Sequence, residues 1–152
     1  MGNKKTLVGY LSYINEENAH RRMKHFEKSC SSFSKFKFKE ECIFVNFDNN
    51  SFEAASNILN KINFDYNIKF NKNFYDISVL YGSYYLAKKL GMKYMLYVYD
   101  DTLYMENKFL KDAELLLEKN KDIDCIRLFE YKRGDSSFDS SWQRSPKSKN
   151  PD

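Results

Sequence analysis

At 152 residues and 42% hydrophobic content, the chain is the size of one domain and apolar enough for a full core, which excludes intrinsic disorder. A net charge of +4 carried by scattered lysines argues against a nucleic-acid partner, because such binders gather their charge in a patch or stripe. No apolar run reaches the roughly 18 residues that span a bilayer. Three cysteines without metal-ligand spacing (Cys30, Cys42 and Cys125) read as reduced thiols packed as small hydrophobes in a cytoplasmic protein.

Met1-Gly2-Asn3-Lys4-Lys5-Thr6 has the form of an N-myristoylation signal. The first strand begins at Leu7 and leaves little tether, so acylation is not expected. That strand runs to Ser12, and Tyr13, Ile14 and Asn15 form a loop at its end. A helix comes next, from about Glu16. Ala19, Met23, Phe26, Cys30 and Phe33 recur at steps of four and three, one apolar stripe facing the core, with Arg21, Arg22, Lys24 and Lys28 off it. His20 and His25, five apart, do not share a face and read as surface residues. Lys35, Lys37 and Lys39 alternate with Phe36 and Phe38; this reads as a solvated charged face rather than a base-stacking surface.

Cys42 to Phe47 is the second strand, ending in Asp48-Asn49-Asn50-Ser51. Ser51 is the expected N-cap of a helix with Glu53 in its first turn and Phe52, Ala55, Leu59 and Ile62 on one face. Tyr66 to Phe70 is a short third strand. After the polar loop Asn71-Lys72-Asn73, a helix runs from Asp76 or Ile77 to Leu90, with Gly91 where a C-terminal cap belongs. Lys93 to Tyr99 is the fourth strand, and a helix from about Asn107 then carries Phe109, Ala113, Leu116 and Leu117. Cys125 to Tyr131 reads as a fifth strand. From Lys132 the chain turns polar and holds both prolines, Pro146 and Pro151. The expected organisation is a domain over 1–131 and a flexible tail over 132–152. Strand and helix alternating four times before a last strand predict an α/β sandwich around a mainly parallel sheet.

The stretch that organises the rest is Lys93-Tyr94-Met95-Leu96-Tyr97-Val98-Tyr99-Asp100-Asp101-Thr102. An unbroken apolar run predicts a central strand buried on both faces. A strand of a parallel sheet delivers the residues after it to the carboxyl edge, where open α/β folds bind ligands. Adjacent carboxylates there call for a cation, and a divalent metal carrying a phosphate ester is the natural one. The plainer alternative is that Asp100 caps the next helix and Asp101 faces water. The first and second strands bring Ser12-Tyr13 and Asp48-Asn49 to the same edge. An aromatic, an amide or carboxylate and a carboxylate pair suit a nucleoside diphosphate. No glycine-rich phosphate loop is present, so a metal would have to neutralise the phosphates.

These pieces resemble the inverting glycosyltransferases of the GT-A fold, family 2-like, including the spore-coat type. The resemblance covers Leu7 to Tyr131. It rests on Leu11-Ser12-Tyr13-Ile14-Asn15, Phe47-Asp48-Asn49-Asn50-Ser51 and Tyr97-Val98-Tyr99-Asp100-Asp101-Thr102-Leu103-Tyr104. It implies a Rossmann-like three-layer sandwich that takes a nucleotide-diphospho-sugar, UDP-linked by expectation. Tyr13 would stack on uracil, Asp48 or Asn49 would meet the base's imide edge, Asp100 would hold the ribose, and Asp101 would bind Mn²⁺ or Mg²⁺ on the diphosphate. Ser12 joins the same nucleotide-binding set. The acceptor (glycan, lipid or protein) is open. Two departures stand out. Tyr99 occupies the first acidic position of the family's Asp-x-Asp motif. The family's catalytic base belongs to a second half beyond this chain, and nothing places Asp135 or Asp139 in that role. The expectation is a truncated, nucleotide-binding half, with a homodimer covering any exposed apolar edge. The alternative is a non-catalytic binding or interaction module. Haloacid-dehalogenase-like phosphatases and receiver domains fit less well, since their acidic residues lie after other strands with other spacing.

Overall fold

The computed structural model describes residues 4–35, 41–102, 109–122 and 124–126. The chain divides into two compact units, Met1–Leu110 and Lys111–Asp152. The first holds β1 (Thr6–Ser12), α1 (Glu16–Ser34), β2 (Cys42–Asp48), α2 (Glu53–Leu59), β3 (Tyr66–Lys69), α3 (Asp76–Leu90) and β4 (Tyr94–Tyr99). The described part of the second is mainly α4 (Phe109–Lys119), which begins at the end of the first unit and exposes Leu115 and Leu116. Outside the described residues lie the Met1-Gly2 signal, the Phe36 to Lys39 interleaving, most of the strand expected over 125–131, and the tail with Asp135 and Asp139. Cys125 and Ile126 themselves carry no strand.

Among the described residues the sheet is parallel, in the order β3-β2-β1-β4. All seven residues of β1 and all seven of β2 are buried. That is the signature of strands covered on both faces by crossover helices. Here the expectation for the organising strand needs correction. Among the described strands β1 and β2 are interior and β4 lies at an edge. Only Val98 of β4 is fully buried, and Met95 is 36% exposed. An apolar run reports burial tendency, but not which neighbours a strand receives.

One face of the sheet presents Val8, Tyr10, Phe44 and Val98 to Phe26, Cys30 and Phe33 of α1, to Ala55 and Leu59 of α2, and to Phe64 and Leu110. Tyr10 and Phe33 lie 5.0 Å apart, and Phe33 meets Phe44 edge-on at 5.4 Å. Each such buried ring contributes roughly 1.5–3 kcal/mol through apolar area removed from water. The α1 stripe therefore serves the core as its periodicity predicts. Cys30 and Cys42 pack as hydrophobes, whereas Cys125 is exposed, against expectation. Burial pushes the Cys30 thiol up to about 11, which leaves it unreactive.

The other face, with Leu7, Leu11, Ile43, Val45 and Phe47, is covered by Val79 and Ala87 of α3. Two glycines permit the close approach. A Cβ on Gly9 would collide with Ser83 Oγ, and one on Gly82 would collide with the Phe47 ring. α3 ends at Gly91 in the left-handed conformation (φ 68°), as its position predicts. Its outer side leaves Ile77, Tyr81, Tyr84 and Tyr85 exposed. No described helix is long and apolar enough to cross a membrane.

Candidate functional site at the carboxyl edge

Parallel strands end on one edge, and the register fixes which ends are neighbours. Leu11 pairs with Phe47 on one side and Tyr99 on the other, and Ser12 pairs with Asp48. Ser12-Tyr13, Asp48-Asn49 and Asp100-Asp101 therefore form one row, as the sequence leads one to expect. The chain builds outward from β1 to β2 and β3, then returns to β4 on β1's other side. The reversal point, where α/β folds bind ligands, lies between Tyr13 and Asp100.

At this end of the row the groups are closely bonded. Asp100 is 5% exposed. Its Oδ2 accepts the Tyr13 backbone N–H at 2.8 Å, and its Oδ1 accepts from Arg22 Nη2 at 2.6 Å. Arg22 Nη1 also donates to the Tyr13 carbonyl at 3.0 Å. The guanidinium thus bridges the end of β4 to the loop after β1. The start of α1 makes this possible. Asn15 caps the helix reciprocally with Asn18, and Arg22 comes back over the loop two turns later. Burial raises the Asp100 carboxyl from 3.8 to about 6. The Arg22 charge and the Tyr13 N–H oppose that rise, and neighbouring Asp101 adds to it. Desolvation therefore outweighs the ion pair. Asp101 itself is exposed. Tyr13 is half-buried, and its hydroxyl accepts from Asn15 Nδ2 at 3.0 Å.

At the middle of the row two turns are stitched together. Ser12 Oγ donates to Asn46 Oδ1 at 3.0 Å, and the Ser12 carbonyl accepts the Asn49 N–H at 2.9 Å. Asp48 Oδ1 accepts the Ser51 N–H at 2.8 Å, while Ser51 Oγ accepts the Ile14 N–H at 3.1 Å. Ser51 is thus a link between the loops after β1 and β2. The N-cap of α2 is Phe52, with no side-chain cap bond, which corrects the sequence expectation. Asn50 takes a positive φ of 65°, a conformation asparagine tolerates.

The Asn49 side chain in the turn after β2 differs. Asn49 is fully buried; its Nδ2 donates to the Tyr75 carbonyl at 2.9 Å, and its Oδ1 has no hydrogen-bond partner among the described residues. Tyr75, just before α3, has φ 53° and ψ −147°, a region suited to glycine that a tyrosine occupies at a cost of about 1–3 kcal/mol. Asn73 Oδ1 accepts its N–H at 2.7 Å, and Ser78 Oγ donates to its carbonyl at 2.9 Å. The Tyr75 residue is 74% exposed.

Neither Arg22 nor Tyr75 stands out in the sequence as a site residue. For Arg22 a signal existed: an arginine in a lysine-dominated chain, where only a guanidinium offers a two-armed donor. For Tyr75 none did, because strain is a property of the folded backbone.

Among the described residues, no three His, Cys, Asp or Glu side chains gather to hold a metal. Asp100 is already bonded at both oxygens, which leaves Asp101 as the exposed carboxylate of the pair. One carboxylate suits a hard cation whose remaining ligands are phosphate oxygens and water, not a preformed protein cage.

No protein-family model matches the chain, and no curated protein matches its sequence. Its fold is similar to that in the crystal structure of S. aureus TarS 1-349, with a TM-score of 0.53 and 20% identity. The match covers 76% of this chain and 32% of that one, so the chain spans about a third of the TarS structure's length. TarS is a glycosyltransferase, and the likeness of this chain to it is one of α/β fold.

Proposed function

We propose that the carboxyl edge binds a nucleotide-diphospho-sugar, as the donor-binding part of a glycosyltransferase. The observation that carries this reading is the convergence of Tyr13, Asp48-Asn49 and Asp100-Asp101 on one edge of a glycosyltransferase-like sheet. The roles derive from hydrogen-bonding capacity. Tyr13 offers a ring face to the base. Asp48 keeps one oxygen beyond its bond to Ser51, and Asn49 keeps Oδ1; either would accept an imide N–H. Asp100 has further lone pairs for a ribose hydroxyl, in a geometry held by Arg22 and the Tyr13 N–H. Asp101 would hold Mn²⁺ or Mg²⁺ together with the diphosphate. That ion, when bound, neutralises the charge on the departing nucleoside diphosphate. The acceptor is a glycan, lipid or protein.

Calorimetric titration with UDP, with and without Mn²⁺, tests this on the wild type and on Asp101→Ala. The expected outcome is metal-dependent UDP binding that Asp101→Ala abolishes, with no Mn²⁺ binding in the absence of UDP. Failure of the wild type to bind UDP in either condition sinks the reading. A second reading, a non-catalytic nucleotide-binding or interaction module, draws on Asp100, whose two oxygens are already engaged within the protein. It predicts UDP binding with no release of sugar from a UDP-sugar when candidate acceptors are added.

A further inference from the structure

We infer that Tyr75 is a base-contacting residue of this edge: its ring forms an aromatic platform for the pyrimidine beside Asn49. The inference rests on the nucleotide reading above and adds a residue to it. Three observations meet at this point. Hydrogen bonds run from the Asn49 N–H to the Ser12 carbonyl, and from Asn49 Nδ2 to the Tyr75 carbonyl, so Tyr75 is tied to the row at Asn49. Its backbone is held in a glycine-like conformation by three side chains, Asn49, Asn73 and Ser78, while the residue stays 74% exposed. A strained backbone that presents an aromatic ring to solvent gains nothing for the core, and strain of this kind gathers at ligand sites. Beside it, the fully buried Asn49 Oδ1 lacks a donor among the described residues.

A uracil-type base supplies a flat face for the exposed ring. The pyrophosphate end of the proposed ligand belongs with Asp101 after β4, whereas Asn49, to which the Tyr75 carbonyl is bonded, follows β2 on the other side of β1. The ring should therefore read the base and not the phosphates.

The discriminating variant is Tyr75→Gly, because glycine adopts the observed backbone conformation without strain while the ring is lost. Calorimetry with UDP and with inorganic pyrophosphate, both with Mn²⁺, would be run on the wild type, Tyr75→Gly, Tyr75→Phe and Asp101→Ala. Tyr75→Gly should weaken UDP roughly tenfold, as loss of one base–aromatic stack does, with pyrophosphate within about twofold of wild type. Tyr75→Phe should restore UDP affinity, and the thermal midpoint of Tyr75→Gly should not fall. Unchanged UDP affinity in Tyr75→Gly, with Asp101→Ala still abolishing binding, overturns the role of Tyr75 and leaves the site reading intact. Equal losses on UDP and pyrophosphate overturn the base contact. Absence of UDP binding by the wild type overturns both.

Discussion

The two ends of the carboxyl edge are built on opposite terms. At the β4 end, a buried carboxylate has each oxygen bonded, one to a guanidinium and one to a backbone N–H. In the turn after β2, a buried amide oxygen has no partner among the described residues and the adjacent tyrosine backbone is strained. The first end holds Asp100 in place without a ligand and preorganises its surroundings. The second carries unmet hydrogen-bonding capacity, the condition in which a ligand adds most. An acidic pair draws attention in a sequence, while specificity can reside at the quieter end of the same edge.

The largest expected effect breaks the β4 end. Arg22→Met keeps an apolar stem but removes the cation that bridges Asp100 and Tyr13. Leaving a buried acid without its partner should lower stability by roughly 2–4 kcal/mol, read by urea denaturation near neutral pH. Combined with Asp100→Asn, the loss should be smaller than the sum of the single losses, since the two groups share one interaction. Additive losses would mean that the pair is not coupled.

The next effect concerns pH. The Asp100 carboxyl titrates at about 6 in the fold against its ordinary value of 3.8, raised chiefly by burial. The folded state therefore holds more protons than the unfolded chain across that window. The stabilisation by the neutral acid is full below pH 3.8 and is lost as pH rises through about 6. Its size is on the order of 2–3 kcal/mol. Asp100→Asn cannot titrate, so its stability relative to wild type should improve by about that amount between roughly pH 4 and 7. A difference that stays flat with pH would assign the titration elsewhere.

The smallest effect acts on the strained end through its support. Gly82→Ala drives a methyl group into Phe47, against which α3 is seated, and should cost about 1–3 kcal/mol. Because Tyr75 immediately precedes α3, the same change should weaken UDP more than pyrophosphate in the titrations above. Wild-type stability in Gly82→Ala would mean that the helix lifts away freely, and that Tyr75 does not depend on a close fit.

Much of the architecture was legible in residue order. Strand and helix alternation, the α1 stripe, the Gly91 cap and the strand ends that meet at one edge all derive from local periodicity and turn chemistry. The interior place of β1 among the described strands was not, since β1 and β4 both read as apolar runs and differ in the neighbours they receive. Ser51 sits where a cap belongs, yet its hydroxyl serves the Ile14 N–H. Cys125 adjoins an apolar stretch and is nevertheless exposed.

By itself the sequence determined the elements, the parallel sheet and the carboxylate pair on its carboxyl edge, because each depends on residues near one another in the chain. The tertiary structure alone decided how those groups are used. Arg22 and Asp100 are 78 residues apart, and the Asn49 amide reaches Tyr75 across 26. Burial, pairing and backbone strain arise only when such distant groups are brought into one low-dielectric neighbourhood. There, an unbonded oxygen or a desolvated carboxylate takes on a free energy that no local pattern encodes.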